Sequence, residues 1–318
     1  MAMNKNDRLK KADIMKRLRE SDAQNLVSLK DFCWLLRQNG LSHNHGYFHY
    51  TTWGRLKKML TSIDVGEEKK RRLLLLSSSS SLNDALENKP GVYLASFSYG
   101  GEEEVAMWTN YGVPKREAVR IRFPMAAMTE WKRENTLDRI VIYVREGNDQ
   151  PFHALDEKPI DIYFADVAYY AGNDPVPRTV QDAVRYKGEH FKFKENKWRR
   201  SVQKTNNSLL FKKRGWAYER EVRLVVQLKN TVQMQRYHQI AIPFDSVYDA
   251  MLEVQNQKGT SVMYGPWYRK GDPTLGEIKG INVTGHSSFQ GELRMRSNCD
   301  SCGLKGSKKC TCRKAEWK

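Results

Sequence analysis

The sequence lacks any apolar run that could cross a bilayer. Its longest candidate, residues 73–76, falls far short of the roughly 20 apolar residues that a membrane-spanning helix needs. The first residues are mostly polar and basic, without the apolar stretch of a secretory signal peptide. There is no internal repeat and no Gly-rich phosphate loop of the Lys-Ser/Thr type. We therefore expect a soluble, cytoplasmic protein with no membrane partner and without P-loop chemistry.

Cysteine is scarce, and its placement is uneven. Of the five cysteines, Cys33 stands alone in an apolar, helix-like context and is expected to be a buried small hydrophobe. The other four are Cys299, Cys302, Cys310 and Cys312. Four thiolates suit a tetrahedral structural Zn²⁺, and the lysines around them favour the thiolate form. The spacing predicts a small C-terminal zinc knuckle with four cysteine ligands, with a redox-active or disordered tail as the alternative.

Basic residues exceed acidic ones by a wide margin, giving a formal net charge of +17 at pH 7. Lysines and arginines gather in residues 8–19, 185–223 and 305–318. The middle cluster interleaves tyrosine, phenylalanine and tryptophan, which is the combination that base stacking and phosphate pairing require. The charge pattern predicts affinity for nucleic acid or another polyanion. A merely solubilising surface charge, with aromatics that belong to the core, remains the alternative interpretation.

Short helix-like and strand-like patterns follow one another irregularly along the chain. Ser28 and Thr52 are each placed to cap a short helix. Residues 92–98 and 118–123 alternate as strands do, whereas residues 180–187 are interpreted as helical or irregular. Strands cluster with separate short helices instead of regular βαβ alternation. The pattern therefore predicts an α+β fold with mixed or antiparallel central sheets and short flanking helices.

The same pattern suggests three regions. A basic helical extension, the main α+β domain and a basic tail with the four-cysteine motif are predicted for residues 1–40, 41–290 and 291–318.

Four sequence blocks occur in an order that resembles one bacterial family. The blocks are Phe48-His49-Tyr50-Thr51-Thr52, then Leu82-Asn83-Asp84 with Glu87, then the strand Val92 to Ser98 leading to Met107-Trp108-Thr109-Asn110-Tyr111-Gly112, then Lys212 to Arg223, which contains Trp216-Ala217-Tyr218-Glu219-Arg220-Glu221-Val222-Arg223. Together they resemble bacterial domain-of-unknown-function family 2971 over about residues 47–270. Family members usually carry proline after the Asn-Asp pair, and Ala85 stands there in this chain.

A second, looser resemblance is to the ADP-ribosyltransferase superfamily. It rests on the strand that carries His49, the capped helix after it, and the late Glu219-x-Glu221 pattern. This resemblance implies an ADP-ribosyltransferase-like fold that uses NAD. It also implies that an early-strand histidine contacts the nicotinamide ribose or a phosphate, and that an aromatic side chain stacks on nicotinamide. A late glutamate would hold the ribose hydroxyls and stabilise the oxocarbenium-like transition state.

The residue types match the chemistry of NAD cleavage. Breaking an N-glycosidic bond leaves positive charge on the sugar, which a fixed carboxylate stabilises. Arginine pairs with phosphate, and aromatic rings stack on flat rings. The candidate catalytic residues are Glu221, Glu219 and His49, and the candidate NAD-binding residues are His49, Tyr50, Trp108, Tyr111 and Arg220. The alternatives are a structural histidine, a core tryptophan, and an ion-pair network of Glu219 and Glu221 with neighbouring arginines.

Three functions are consistent with these residues. The leading hypothesis is an ADP-ribosyltransferase-like enzyme that uses NAD to modify a nucleic acid or another macromolecular target. The rival is a non-enzymatic nucleic-acid-binding protein of bacterial stress or antiphage defence, whose binding would depend steeply on salt. The third is a nuclease with Asp84, Glu87, Glu219 and Glu221 as magnesium ligands.

Overall fold

A computed structural model provides the fold. It describes residues 4–20, 27–65, 70–79, 89–147, 150–170, 183–186, 189–192, 206–229, 239–268, 281, 283 and 285–290. The four-cysteine motif at residues 299–312 and the Asn-Asp block with Glu87 lie outside the described residues. The chain divides into two compact units. Unit 1 comprises Met1–Tyr47, Ser62–Gly100 and Pro124–Val247, and unit 2 comprises Phe48–Thr61, Gly101–Phe123 and Tyr248–Lys318.

The described elements are short and alternate irregularly in type. The α-helices are α1 (Lys5–Glu20), α2 (Leu29–Asn39), α3 (Trp53–Leu60), α4 (Val105–Tyr111), α5 (Met125–Glu134) and α6 (Asp245–Lys258). The strands are β1 (Tyr47–Thr52), β2 (Ile63–Asp64), β3 (Lys70–Arg71), β4 (Leu73–Ser78), β5 (Val92–Tyr99), β6 (Ala118–Phe123), β7 (Ile142–Arg145), β8 (His153–Leu155), β9 (Asp161–Asp166), β10 (Ala168–Tyr170), β11 (Ala183–Tyr186), β12 (Glu189–Lys192), β13 (Phe211–Lys213), β14 (Glu221–Gln227), β15 (Gln239–Pro243), β16 (Val262–Tyr264) and β17 (Gly285–His286). Short 3-10 helices occupy Lys115–Glu117, Asn206–Leu210 and Arg214–Glu219.

The helix starts follow local capping chemistry. The Ser28 side chain accepts a hydrogen bond from the Asp31 N–H at 3.1 Å, and the Thr52 hydroxyl accepts one from the Arg55 N–H at 3.3 Å. Each cap satisfies a donor that the first helical turn leaves unpaired. Both predicted caps are thereby confirmed. In α2, burial raises the pKa of the Cys33 thiol to about 12, which confirms this residue as a buried apolar one.

Unit 1 is built on an antiparallel sheet. Its described strands lie in the order β8-β7-β15-β4-β5-β14-β9, and every neighbouring pair in this order is antiparallel. Strand β14 lies next to the edge strand, with β5 on one side and β9 on the other. Because β9 pairs only with β14 among the described strands, it forms an edge of this sheet. The ends of β5 and β9 and the start of β14 therefore meet at one end of the sheet.

The two N-terminal helices cover one face of this sheet. Ile14 and Leu18 of α1 join Val225 of β14 in one buried core. Ile14 and Leu18 are buried on α1, while Leu9 is exposed. The predicted boundary of the basic helical extension at residue 40 stays a prediction, although residues on both α1 and α2 belong to this core. The buried residues of α2 are Leu29, Phe32, Cys33, Leu35, Leu36 and Asn39.

A second sheet of unit 1 has the strand order β12-β11-β10-β13. Strand β10 pairs antiparallel with β11 and parallel with β13. Residues 180–187 were interpreted as helical or irregular, and this was wrong, because Ala183–Tyr186 forms β11. Strand β11 pairs with β12, which follows it closely in the chain, and with β10, which lies farther away in the sequence. Local propensity does not register such a partner.

Unit 2 contains the strand order β17-β16-β6-β1, in which β16 pairs parallel with β17 and antiparallel with β6. Val119, Ile121 and Phe123 of β6 are fully buried, as the predicted alternation requires. Arg120, on the other face, is also buried, and its guanidinium lies 4.6 Å from the centre of the Phe48 ring.

The coarse prediction of an α+β fold with mixed sheets is confirmed. Across the ranges that the structure describes, we find no helix with the length and apolarity that a bilayer crossing demands.

Candidate functional site

The Glu219-Arg220-Glu221 segment leads into β14 of unit 1. Glu219 ends a 3-10 helix, Arg220 adopts a left-handed conformation with φ of 43°, and Glu221 begins β14. Of the two glutamates, only Glu221 therefore lies on the strand. Their carboxylates nevertheless converge, because the Lys212 ammonium lies 2.7 Å from Glu219 Oε2 and 2.8 Å from Glu221 Oε2.

We call Lys212, Glu219, Glu221 and Arg223 the carboxylate cluster. Arg223 donates to Glu221 from Nε at 2.7 Å and from its terminal nitrogen at 3.0 Å. The Ser96 hydroxyl donates to Glu221 Oε1 at 2.5 Å, so each oxygen of this carboxylate accepts two donors. Glu219, Glu221 and Arg223 are all buried. The cluster is a buried charge network with a fixed geometry.

The electrostatics of the carboxylate cluster keep Glu221 ionised. Burial alone would raise the pKa of Glu221, but the Arg223 guanidinium and the Lys212 ammonium outweigh burial and hold that pKa well below its usual range. Two carboxylates face two cations, so the formal charges cancel. This arrangement matches the ion-pair alternative raised from the sequence, with Lys212 as a partner that the sequence reasoning did not name. Lys212 lies on β13, which pairs with β10 in the second sheet. No local sequence pattern indicates that its side chain contacts Glu221 at the start of β14.

Strand register separates the polar side chains onto two faces of the sheet. Val222 lies opposite both Phe97 of β5 and Asp166 of β9. Directly opposed residues of an antiparallel pair share a face, and successive residues alternate. Asp166 therefore lies on the face of Val222, whereas Glu221 lies on the other face, which α1 and α2 cover.

A second polar group occupies the Asp166 face, and the sequence reasoning missed it. We call His43, Tyr99, Asp166 and Arg220 the histidine cluster. His43 Nε2 lies 2.7 Å from Asp166 Oδ1, and its ring stacks on Tyr99 at 4.0 Å between centroids. The Arg220 carbonyl accepts the Tyr99 N–H at 2.9 Å, and its guanidinium lies over Gly100. Burial and then Asp166 raise the pKa of Tyr99 to about 12, against the opposing effect of Arg220.

The available sequence signals for this second group were weak. His43 lies in the stretch between α2 and β1, which shows neither helical nor strand periodicity, and Asp166 ends strand β9, whose interior residues 162–165 are apolar. An acidic residue inside an apolar strand indicates a buried charge that needs a partner, but does not say which partner.

The remaining candidate NAD-binding residues belong to unit 2. Tyr50 and Trp108 are buried and pack edge to face, with ring centroids 4.9 Å apart. The Trp108 indole N–H donates to Glu103 at 3.0 Å, and Arg120 donates to the Tyr50 hydroxyl at 3.5 Å. Both rings are thus held by packing and hydrogen bonds inside unit 2, as the core interpretation of Trp108 anticipated.

His49 and Tyr111 are the more accessible of the unit 2 candidates. His49 is partly buried on β1, and Tyr111 at the end of α4 is 39% exposed. His49 belongs to unit 2, whereas Glu221 belongs to unit 1. The hypothesis that these two side chains share one NAD cleft stays a prediction.

The structure describes part of the predicted polyanion-binding cluster but not the predicted metal ligands of the tail. Lys212 and Arg223 of the 185–223 cluster are ion-paired with Glu219 and Glu221 inside unit 1, so their charge is already compensated within the fold. Within the described ranges, no group of three or more His, Cys, Asp or Glu side chains is arranged to hold a metal ion. The four tail cysteines and the Asp84 and Glu87 of the nuclease hypothesis fall outside those ranges.

Comparisons with protein-family models, curated proteins and solved structures found no match to this chain. The two family resemblances described from the sequence stay predictions.

Proposed function

We propose that this chain is an ADP-ribosyltransferase-like enzyme that uses NAD to modify a nucleic acid or another macromolecular anion. The observation that carries the proposal is the ionised Glu221 carboxylate, held by hydrogen bonds at the start of β14 of unit 1. Cleavage of the bond between nicotinamide and ribose develops positive charge on the sugar. A preorganised carboxylate stabilises that charge without reorganising during the reaction.

Displacement of Lys212 would leave the carboxylate cluster with a net negative charge for the substrate. Its ammonium is shared between Glu219 and Glu221. If an NAD phosphate drew Lys212 away, Glu221 would still accept hydrogen bonds from Ser96 and Arg223. The cluster would then carry a net charge of about −1, as oxocarbenium stabilisation requires. Lys212 is only partly exposed, so this exchange would occur in surroundings that screen charge weakly.

Arg220 supplies a second cation for the NAD diphosphate in the proposed enzyme. Its left-handed backbone conformation is uncommon for a non-glycine residue, and such positions concentrate at functional sites. Gly100 leaves room for the guanidinium, since a Cβ at that position would lie 3.0 Å from an Arg220 terminal nitrogen.

The test uses the full chain with labelled NAD and a panel of DNA, RNA and protein acceptors. Transfer of label, NAD hydrolysis or saturable NAD binding is expected. Lys212→Met should lower NAD affinity through lost phosphate pairing. Lys258→Met, at an exposed lysine near the end of α6, is the matched control and should leave NAD affinity unchanged. Absence of transfer, hydrolysis and binding in the folded wild-type chain would refute the proposal.

A specific observation favours nucleic-acid binding as a second candidate function. The solvent face of α3 is basic, with Arg55, Lys57 and Lys58 exposed. No acidic side chain lies within α3 to offset this charge. Replacing all three by glutamine should weaken DNA or RNA binding and reduce its salt slope by about 2–3. Equal binding by the variant and the wild type would remove α3 as the contact surface.

A further inference from the structure

The strongest site that the sequence reasoning did not assign is the His43–Asp166 pair of unit 1. The two side chains approach to 2.7 Å, although 123 positions separate them in the sequence. Asp166 is fully buried and His43 is 9% exposed. An ionisable pair at this depth is costly unless its hydrogen bonds are well formed. The arrangement therefore has either a specific structural use or a chemical one.

The chain brings His43 to this position by passing round the edge of the sheet. Helix α2 covers one face of β9, whereas Asp166 lies on the other face. Gly40, at the end of α2, packs directly on the β9 backbone, where a Cβ would lie 2.5 Å from the Phe164 carbonyl. Only glycine permits this approach. The loop thus wraps the edge strand and delivers the imidazole to the end of β9.

The imidazole is oriented on several sides. Its ring stacks on Tyr99 with an interplanar angle of 16° and contacts Tyr47 edge-on at 6.1 Å. A carboxylate only accepts hydrogen bonds, so the contact with Asp166 places the proton on Nε2 and the lone pair on Nδ1. In the part of the chain that the structure describes, no hydrogen bond to Nδ1 is found.

A neighbouring orphan hydroxyl points to a ligand in the same place. The Tyr47 hydroxyl is buried and has no hydrogen-bond partner among the described residues. Burial, and then the charge of Asp166, raise the pKa of Tyr47, which places this hydroxyl within the field of the same carboxylate. An unsatisfied buried hydroxyl costs about 1–3 kcal/mol and calls for an explanation. A substrate group that pairs with it would supply one.

We propose that His43 is the proton acceptor of the reaction in unit 1 and that Asp166 is its positioning residue. The proposal rests on the proposed ADP-ribosyl transfer and narrows its acceptor to a group that bears an O–H or N–H. Such a nucleophile must lose a proton as it attacks, whereas a carboxylate acceptor needs no base. The lone pair of Nδ1 is the free acceptor for that proton, and Asp166 stabilises the imidazolium that results.

The proposed step balances in atoms and charge. The acceptor oxygen or nitrogen forms a bond to C1 of the ribose as the bond from C1 to the nicotinamide nitrogen breaks. The electron pair of that bond leaves with nicotinamide, which departs neutral. The acceptor proton passes to Nδ1 of His43, so the positive charge of NAD ends on the imidazolium. Among the described residues, Asp166, Tyr99 and Tyr47 contact the His43 ring, and Arg220 acts electrostatically on Tyr99.

The first experiment requires no activity. Nitrogen NMR of the histidine-labelled full chain should show His43 as the Nε2–H tautomer near pH 8. Asp166→Asn should weaken that tautomer preference, while His45→Gln in the same loop should leave the His43 signals in place. The imidazole nitrogen signals of His43 are assigned as those that disappear from the spectrum of His43→Gln. A dominant Nδ1–H tautomer, or tautomers unchanged by Asp166→Asn, would overturn the assignment of roles.

The second experiment measures transfer to hydroxyl, amine and carboxylate acceptors. His43→Gln should lower kcat by about 100-fold or more on O–H and N–H acceptors, with KM for NAD nearly unchanged. Any transfer to a carboxylate acceptor should be unaffected by His43→Gln, because that acceptor loses no proton as it attacks. His45→Gln should behave as wild type, and thermal unfolding checks that all variants fold.

The two proposals fail in different ways. If the wild type neither binds nor cleaves NAD, the proposed function fails, and the NMR result alone decides whether His43 is a poised base. If the wild type transfers ADP-ribose and folded His43→Gln does so at an unchanged rate, the role of His43 fails while the enzyme remains. Transfer only to carboxylates would likewise refute the inference.

Discussion

The loss of one charge from the carboxylate cluster should lower the free energy of unfolding of the chain by several kcal/mol, at about the cost of breaking a buried ion pair. Glu221→Gln preserves side-chain size but leaves Lys212 and Arg223 facing Glu219 as the remaining carboxylate of the cluster. Removing one partner of a buried ion pair costs about 3–5 kcal/mol, because the other charge stays buried without compensation. For a unit of this size, the same loss corresponds to a fall in Tm of about 6–20 °C.

The assay is chemical and thermal unfolding at pH 7, with Glu134→Gln as the control, since Glu134 is exposed on α5. The control should change the free energy of unfolding by less than about 0.5 kcal/mol. A Glu221→Gln protein within that same margin of the wild type would refute the buried-network reasoning.

The pH dependence of this difference has a definite sign. Because the folded state depresses the pKa of Glu221, its stabilising contribution is complete above the ordinary glutamate pKa of about 4.3. It is lost as the pH falls from there toward the folded-state pKa. The stability gap between wild type and Glu221→Gln should therefore be constant near neutrality and shrink below about pH 4. A gap that widened on acidification would contradict the assigned direction of the shift.

Local geometry leads to three further predictions. Gly40→Ala should destabilise the chain by about 1–3 kcal/mol through a clash with the Phe164 backbone, whereas Gly215→Ala, with nothing within 4 Å, should be nearly neutral in denaturant unfolding. Arg220→Gly should keep or raise Tm by relieving a left-handed residue worth about 1–2 kcal/mol, while lowering NAD affinity in calorimetry. Cys33, being buried with a raised thiol pKa, should resist alkylation in the folded chain and react on unfolding, as peptide mass spectrometry would show.

The carboxylate cluster and the histidine cluster lie on opposite faces of the sheet at the start of β14. Consecutive residues Arg220 and Glu221 direct their side chains to opposite faces at the same end of the sheet. One face carries a neutralised carboxylate network against the helical core, and the other carries the His43–Asp166 pair. In the proposed enzyme, a substrate bound at this end of the sheet would contact the Arg220 cation, the Tyr99 ring and the oriented His43 imidazole. These groups would pair with phosphate, stack on a flat ring and accept a proton, respectively.

Local sequence patterns were sufficient for the elements and their class. The hydroxyls of Ser28 and Thr52 cap helices because the unpaired N–H groups are only three positions away. The alternation in residues 118–123 predicts β6 because the pleat repeats every two residues. These effects act between near neighbours in the chain, so the sequence alone reveals them.

The polar sites were decided by tertiary structure. Glu219 and Glu221 were found from the sequence, but their partner Lys212 and the burial of all three depend on how β13 and β14 are placed. His43 and Asp166 meet only because a loop wraps the edge of β9, and strand register alone puts them on the face opposite Glu221. Amino-acid types set which contacts are chemically possible; pairing across more than a hundred positions sets which of them form, because register is a property of the folded sheet.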